Sequence, residues 1–213
     1  MSNIGSYEDR VNGSPWKLTE NELGYKQGDM INIGWYCSDR ICLNGKGEKT
    51  ALIYEGFGGI EKDFTFNDIR LVGNTIGSFL RSLGIKPADR VCLFLDRIPE
   101  LYLGFLGILK IGAIVQLLFS AFGDESLFVR LDNAGTRAII TQRKHLQKIR
   151  KIKDRLPSLE FIIITDHIKE KELEDREVAF SLDEATPVEN MEVFPSTAES
   201  PSVLHYTSGT TGQ

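Results

Sequence analysis

The segment with the clearest chemical potential closes the sequence. Thr207, Ser208, Gly209, Thr210, Thr211 and Gly212 are consecutive small hydroxyl residues or glycines. They follow Ser202 to Tyr206 (S-V-L-H-Y), which reads as a short strand. Glycines let a backbone bend until several N–H groups converge on one anion, and Ser and Thr add donors on short side chains. A phosphate group, rich in acceptor oxygens, suits that surround. No Gly-Lys-Ser/Thr follows, so the segment is not a Walker loop. On composition alone the same stretch also reads as a flexible tail.

Other reactive residue types are dispersed. His145, His167 and His205 form no metal-ligand cluster, and His205 reads as a packed strand residue. Cys37, Cys42 and Cys92 are odd in number, include no C-x-x-C and read as reduced structural thiols. The polar, acidic start M-S-N-I-G-S-Y-E-D-R does not read as a signal peptide, so a cytoplasmic location is expected. The chain has 25 basic and 30 acidic residues, a net charge of -5, which argues against electrostatic capture of nucleic acid. The basic run 142–155 and the acidic run 170–177 read as solvated helix faces. Asn44-Gly45-Lys46-Gly47 lacks the spacing of a dinucleotide fingerprint and reads as a turn.

The elements that must position these residues alternate along the chain. With 213 residues, 41% of them hydrophobic, the sequence is long enough to bury about 70% of its extended surface without a disulfide or metal staple. A helix is expected over 32–42 and a hairpin over 51–66 around Gly56, Gly58 and Gly59. Thr65 and Asp68 have capping-box spacing, and Ile69, Val72, Ile76, Phe79, Leu80 and Leu83 then fall on one helical face that Gly84 ends. Strands are expected over 91–95, 113–119, 137–141 and 161–165, separated by helices over 99–111, 124–133 and 144–155. Continuous apolar strands of this kind belong to a parallel sheet covered on both faces. Leu101 to Phe119 is nearly apolar, but Gly112 divides it into helix and strand, so no membrane span is expected. The organisation expected is a surface segment 1–31, an α/β subdomain 32–182, a linker 183–201, and strand plus phosphate loop 202–213.

Tyr206-Thr207-Ser208-Gly209-Thr210-Thr211-Gly212 resembles the phosphate-loop signature of the adenylate-forming superfamily, which holds acyl-CoA synthetases, luciferases and the adenylation domains of peptide synthetases. Phe64-Thr65-Phe66 resembles the family's threonine-aromatic strand. Leu83-Gly84-Ile85-Lys86-Pro87-Ala88-Asp89-Arg90-Val91 resembles its "LGV-x-x-GDRV" turn, with Ala88 where glycine is usual. Pro99-Glu100 followed by Lys110-Ile111-Gly112-Ala113 resembles its "PE…K-x-GA" helix. Leu117 in place of a common proline, together with Phe119 and Phe122, is similar to the acetyl-CoA and short-chain acyl-CoA synthetase branch.

The resemblance implies an α/β layered fold, the N-terminal subdomain of the adenylate-forming enzyme, truncated at the phosphate loop. It implies ATP with Mg²⁺ and coenzyme A as partners of a small carboxylate, in a ligase that makes an acyl-adenylate and then an acyl-CoA thioester. By motif match Thr207, Ser208, Gly209, Thr210, Thr211 and Gly212 would hold the β and γ phosphates. Arg143 and Lys144, just after a strand end, are candidates for the 3′-phosphate of coenzyme A. No catalytic residue and no metal ligand is assigned within the chain, because in the family these lie beyond the position of Gln213. The chain alone is therefore expected to be inactive and to self-associate through a truncated apolar face. The alternatives are a non-catalytic binding module of the same fold, or a sibling aryl-CoA ligase or peptide-synthetase adenylation domain.

Overall fold

The computed structural model describes residues 15–26 and 28–207. Residues divide into two compact units, Met1–Ile31 with Pro195–Ser200, and Asn32–Phe194 with Pro201–Gln213. The first contains helix α1 (Pro15–Leu23) and a backbone bond from Ile31 N–H to the Ser196 carbonyl.

The second unit begins with two short helices, α2 (Ile33–Tyr36) and α3 (Asp39–Ile41), followed by a wide turn over Cys42–Lys46 in which Gly45 has φ +72°. The single helix expected over 32–42 is broken at Ser38, whose backbone leaves the helical region and whose Oγ donates to the Gly34 carbonyl at 2.6 Å. An antiparallel hairpin, β1 (Thr50–Gly56) and β2 (Ile60–Thr65), leads into the long helix α4 (Phe66–Ser82). The capping box forms as its spacing predicts: Thr65 Oγ1 accepts from Asp68 N–H, and Thr65 N–H donates to Asp68 Oδ2.

Six parallel strands then make the central sheet. In chain order the elements are β3 (Arg90–Phe94), α5 (Pro99–Lys110), β4 (Ile114–Leu117), α6 (Asp124–Ala134), β5 (Ala138–Thr141), α7 (Leu146–Arg150), β6 (Phe161–Ile164), β7 (Glu177–Ala179) and β8 (Val203–His205). In space the order is β7-β6-β5-β3-β4-β8. Alternate side chains of each strand enter opposite cores. Val91, Leu93 and Leu95 pack with Ile76 and Leu80 of α4 and with Leu103 and Ile108 of α5. Cys92, Phe94, Ile139 and Ile162 pack with Leu127 and Leu131 of α6 and Ile149 of α7. The architecture is the expected parallel sheet with helices on both faces. Among the described residues no helix is long and apolar enough to cross a membrane.

The charged runs are solvated only in part: Arg143, Lys144, Lys151 and Arg155 are exposed, whereas Lys153 and Glu177 are buried. The basic stretch is a short helix flanked by 3₁₀ turns at Arg143–His145 and Lys153–Arg155. The acidic stretch contains a 3₁₀ turn at Glu170–Glu172 and then enters β7. Strand β7 brings the two together. Glu177, its side chain wholly buried, accepts from Arg150 Nε and Nη2, both at 2.7 Å, and Lys153 Nζ pairs with Glu174 at 2.8 Å. The runs neutralise each other because burial of a carboxylate requires a hydrogen-bonded counter-charge.

Candidate functional site

The connections on either side of β3 set the place of the site. From β3 the chain runs through α5 to β4 on one face. From β4 it runs through α6 on the opposite face, passes β3 and enters β5. Connections that leave neighbouring strands on opposite faces open a crevice at the carboxyl ends of those strands, which is where α/β sheets bind ligands. A cleft of about 820 Å³ lies there. Leu95, Asp96 and Arg97 follow β3, Leu118, Phe119 and Ser120 follow β4, Lys144 follows β5, and His205 ends β8. Tyr54, Gly56 and Phe57 of the hairpin form the opposite wall, and the lining is mostly apolar.

Its polar floor is organised around Asp96. One carboxylate oxygen forms an ion pair with Lys144 Nζ, and the other lies 2.9 Å from His145 Nε2. The Asp96 N–H donates to Gln142 Oε1 at 3.0 Å, so the turns after β3 and β5 are tied at both backbone and side chain. Hydrogen bonds from Lys144 and from Ser120 hold the Asp96 carboxyl well below the usual carboxylate range, and it is ionised at neutral pH.

Of the candidate phosphate-loop residues, Thr207 is described and is exposed two residues beyond the end of β8. Ser208, Gly209, Thr210, Thr211 and Gly212 lie outside the described residues. His205 is not the packed strand residue expected. It is exposed and lines the cleft, because β8 is an outer strand of the sheet and its last residue lies at the carboxyl end, where no helix among the described residues covers it. Arg143 and Lys144 do sit at the carboxyl end of β5, but each already has a carboxylate partner, Glu172 at 3.1 Å for Arg143 and Asp96 for Lys144. Among the described residues no group of three or more His, Cys, Asp or Glu is placed to hold a metal ion.

Asp96 and Ser120 escaped the sequence reading. The available signal was positional: each is among the first polar residues after a buried strand, at the end of the sheet where ligands gather.

Comparison with known proteins agrees with this architecture. The profile of the AMP-binding enzyme family matches residues 40–213. The acetyl-coenzyme A synthetase of Bacillus subtilis (strain 168) is 30% identical over 213 residues, 99% of this chain and 36% of that protein. The 3-hydroxypropionyl-coenzyme A synthetase of Sulfurisphaera tokodaii is 29% identical over 93% of this chain and 33% of its own length. Among solved structures, Brucella canis acyl-CoA synthetase superposes with a TM-score of 0.82 at 25% identity, covering 96% of this chain and 36% of that one. The anthranilate CoA ligase AuaEII in complex with anthranoyl-AMP gives 0.73 at 25% identity over 86% and 33%. The chain spans about a third of the length of the curated relatives it matches. A family profile extending from α3 to the last residue, carried on the parallel sheet and cleft described above, makes this chain a member of the AMP-binding enzyme family.

Proposed function

We propose that the chain supplies the pyrophosphate-holding loop and one wall of the substrate cleft of an ATP-dependent, AMP-forming acid–thiol ligase for short carboxylates such as acetate. The observation that carries this reading is the exit of β8 at the carboxyl ends of the parallel strands. His205 lines the cleft there, and Thr207 opens the hydroxyl- and glycine-rich segment two residues later. The names of the acetyl- and 3-hydroxypropionyl-coenzyme A synthetases support the substrate class.

In such a ligase a carboxylate oxygen attacks the α-phosphate of ATP, the bond to the bridging oxygen breaks, and pyrophosphate leaves. The thiol of coenzyme A then attacks the acyl carbon, and AMP departs. The loop's part is electrostatic. Backbone N–H groups and the hydroxyls of Thr207, Ser208, Thr210 and Thr211 stabilise the charge that grows on pyrophosphate. The apolar cleft suits a pantetheine arm, with Lys144 and Arg143 nearest to its phosphates once their carboxylate partners yield.

On its own the chain does not form acyl-adenylate. Holding nucleophile, α-phosphate and leaving group in line is worth roughly 7–11 kcal/mol of the barrier, and each missing donor to developing charge costs about 3–4 kcal/mol more. The test has two arms. Pyrophosphate should bind the 213-residue chain weakly, as followed by NMR, and the Gly209→Val variant should lose that binding. Acetate-dependent pyrophosphate–ATP exchange should stay at the level of the same variant. Binding unaffected by Gly209→Val refutes the loop assignment, and exchange clearly above the control refutes the account of what else the reaction needs.

A further inference from the structure

The root of the phosphate loop is attached to the protein by the β4–β8 ladder and by the Tyr206 side chain. Strand β8 offers three residues to β4, and its flanks Val203 and His205 are exposed. Tyr206, the residue joining β8 to Thr207, turns back onto α6. Its hydroxyl lies 2.8 Å from Asn133 Oδ1 and 3.1 Å from the Arg130 carbonyl oxygen. That carbonyl also accepts from Gln116 Nε2 of β4 at 2.9 Å, and the Gln116 Oε1 accepts from Thr136 Oγ1. The Arg130 guanidinium lies over the Phe122 ring, 4.4 Å from its centre, and over the Tyr206 ring at 5.8 Å. Nη1 donates to the Ser126 carbonyl at 2.9 Å, while the buried Nε has no hydrogen-bond partner among the described residues. A partly buried guanidinium with an unmatched Nε gains from the faces of the rings it lies over.

The geometry points to Arg130 as the positioning residue of the phosphate loop: clamped by Phe122, it fixes the Tyr206 ring and so aims the chain as it leaves β8 for Thr207. Substrate phosphate is held by the loop and not by Arg130, so the inference rests on the loop assignment proposed above. It goes beyond that assignment in tying Tyr206, the residue before Thr207, to a helix residue 76 positions earlier in sequence. The side chain itself reports on the clamp. Burial raises the Tyr206 phenol above its ordinary pKa, the Arg130 charge opposes that rise, and the Cys92 thiol beneath adds to it. Removing the arginine charge from an intact fold therefore drives Tyr206 further up, whereas local unfolding returns it to an ordinary tyrosine.

The experiment follows the Tyr206 ring by NMR, assigned by its loss in Tyr206→Phe, through an alkaline titration of the 213-residue chain and of Arg130→Met, Arg130→Lys and Phe122→Leu. Pyrophosphate affinity is measured on the same proteins. The expected result is a higher Tyr206 pKa in Arg130→Met and a smaller rise in Phe122→Leu. Pyrophosphate binding should weaken about tenfold in Arg130→Met, with recovery of both properties in Arg130→Lys. An unshifted Tyr206, or one that falls to the ordinary value in every variant, overturns the clamp. Equal pyrophosphate affinity in the parent chain and Arg130→Met overturns the positioning role alone. No pyrophosphate binding by the parent chain overturns the loop assignment and this role with it.

Discussion

Replacing Lys110 by methionine should be among the most damaging single changes in this protein. Lys110 closes α5, and its side chain is 0% exposed. Its three ammonium protons have three acceptors: Asp39 Oδ2 at 2.6 Å, Asn74 Oδ1 at 2.8 Å and the Arg70 carbonyl at 3.2 Å. Burial pulls the Lys110 pKa down and Asp39 pushes it back up, so the ammonium depends on that partner. Methionine keeps the volume of the stem but leaves Asp39, 17% exposed, without its counter-ion, and removes the donor to Asn74 Oδ1. Breaking a buried pair from one side costs about 3–5 kcal/mol. For a chain of this size each kcal/mol lowers Tm by about 2–4 °C, so the expected loss is roughly 6–20 °C. Thermal unfolding followed by circular dichroism measures the loss in Tm, and urea unfolding measures the cost in free energy. The double variant Lys110→Met/Asp39→Leu should recover part of the loss, because two apolar groups then meet where a lone carboxylate stood. A single-variant cost below about 1 kcal/mol, the range of an exposed pair, would show that water reaches the site and that the burial argument is wrong.

Three further outcomes are expected. Ala88 has φ +66° at the position where the resembling turn usually has glycine, so Ala88→Gly should stabilise by about 0.5–1 kcal/mol in the same urea assay, despite glycine's freer unfolded chain. Burial raises the Glu100 carboxyl, with Asp166 and Asp183 adding to the rise. The folded state thus carries a penalty at neutral pH that disappears as pH falls from the raised value to the ordinary one. Glu100→Gln should be more stable than the parent at pH 7 and lose that advantage toward pH 4.5, as read from Tm across that range. The exposed side chains of Phe57 and Phe119 near the cleft and of Val203 on the outer strand should drive self-association, seen as a concentration-dependent sedimentation coefficient, and a monomer at high concentration counts against it.

The sheet was legible because its strands are continuous apolar runs and its helices carry local punctuation. Thr65 and Asp68 announce α4, Pro99 opens α5, and Gly135 at φ +57° closes α6. Strand β7 was not legible. It is three residues long and begins at an acidic side chain, Glu177, which is buried against Arg150, 27 residues earlier in the chain. The site divides the same way. The composition of Thr207 to Gly212 is a local signal, whereas the Asp96–Lys144 pair and the Arg130–Tyr206 contact join residues that only the crossover of the sheet brings together.

The neighbour relation of β4 and β8 carries a consequence for the order of assembly. Val115 pairs with Val203, 88 residues apart, while the β3–β4 and β3–β5 ladders close far shorter loops. Closing the longer loop sacrifices more chain entropy for only three residues of pairing. Refolding should therefore complete the β7-β6-β5-β3-β4 array first, leaving β4 as a bare edge until β8 arrives. During that interval β4 presents unpaired N–H and C=O groups to any extended chain, including the same strand of another molecule. Thr207 follows the last ladder expected to close, so the anion site proposed for Thr207 to Gly212 would form at the end of folding, and exchange of β8 between molecules would compete directly with its formation.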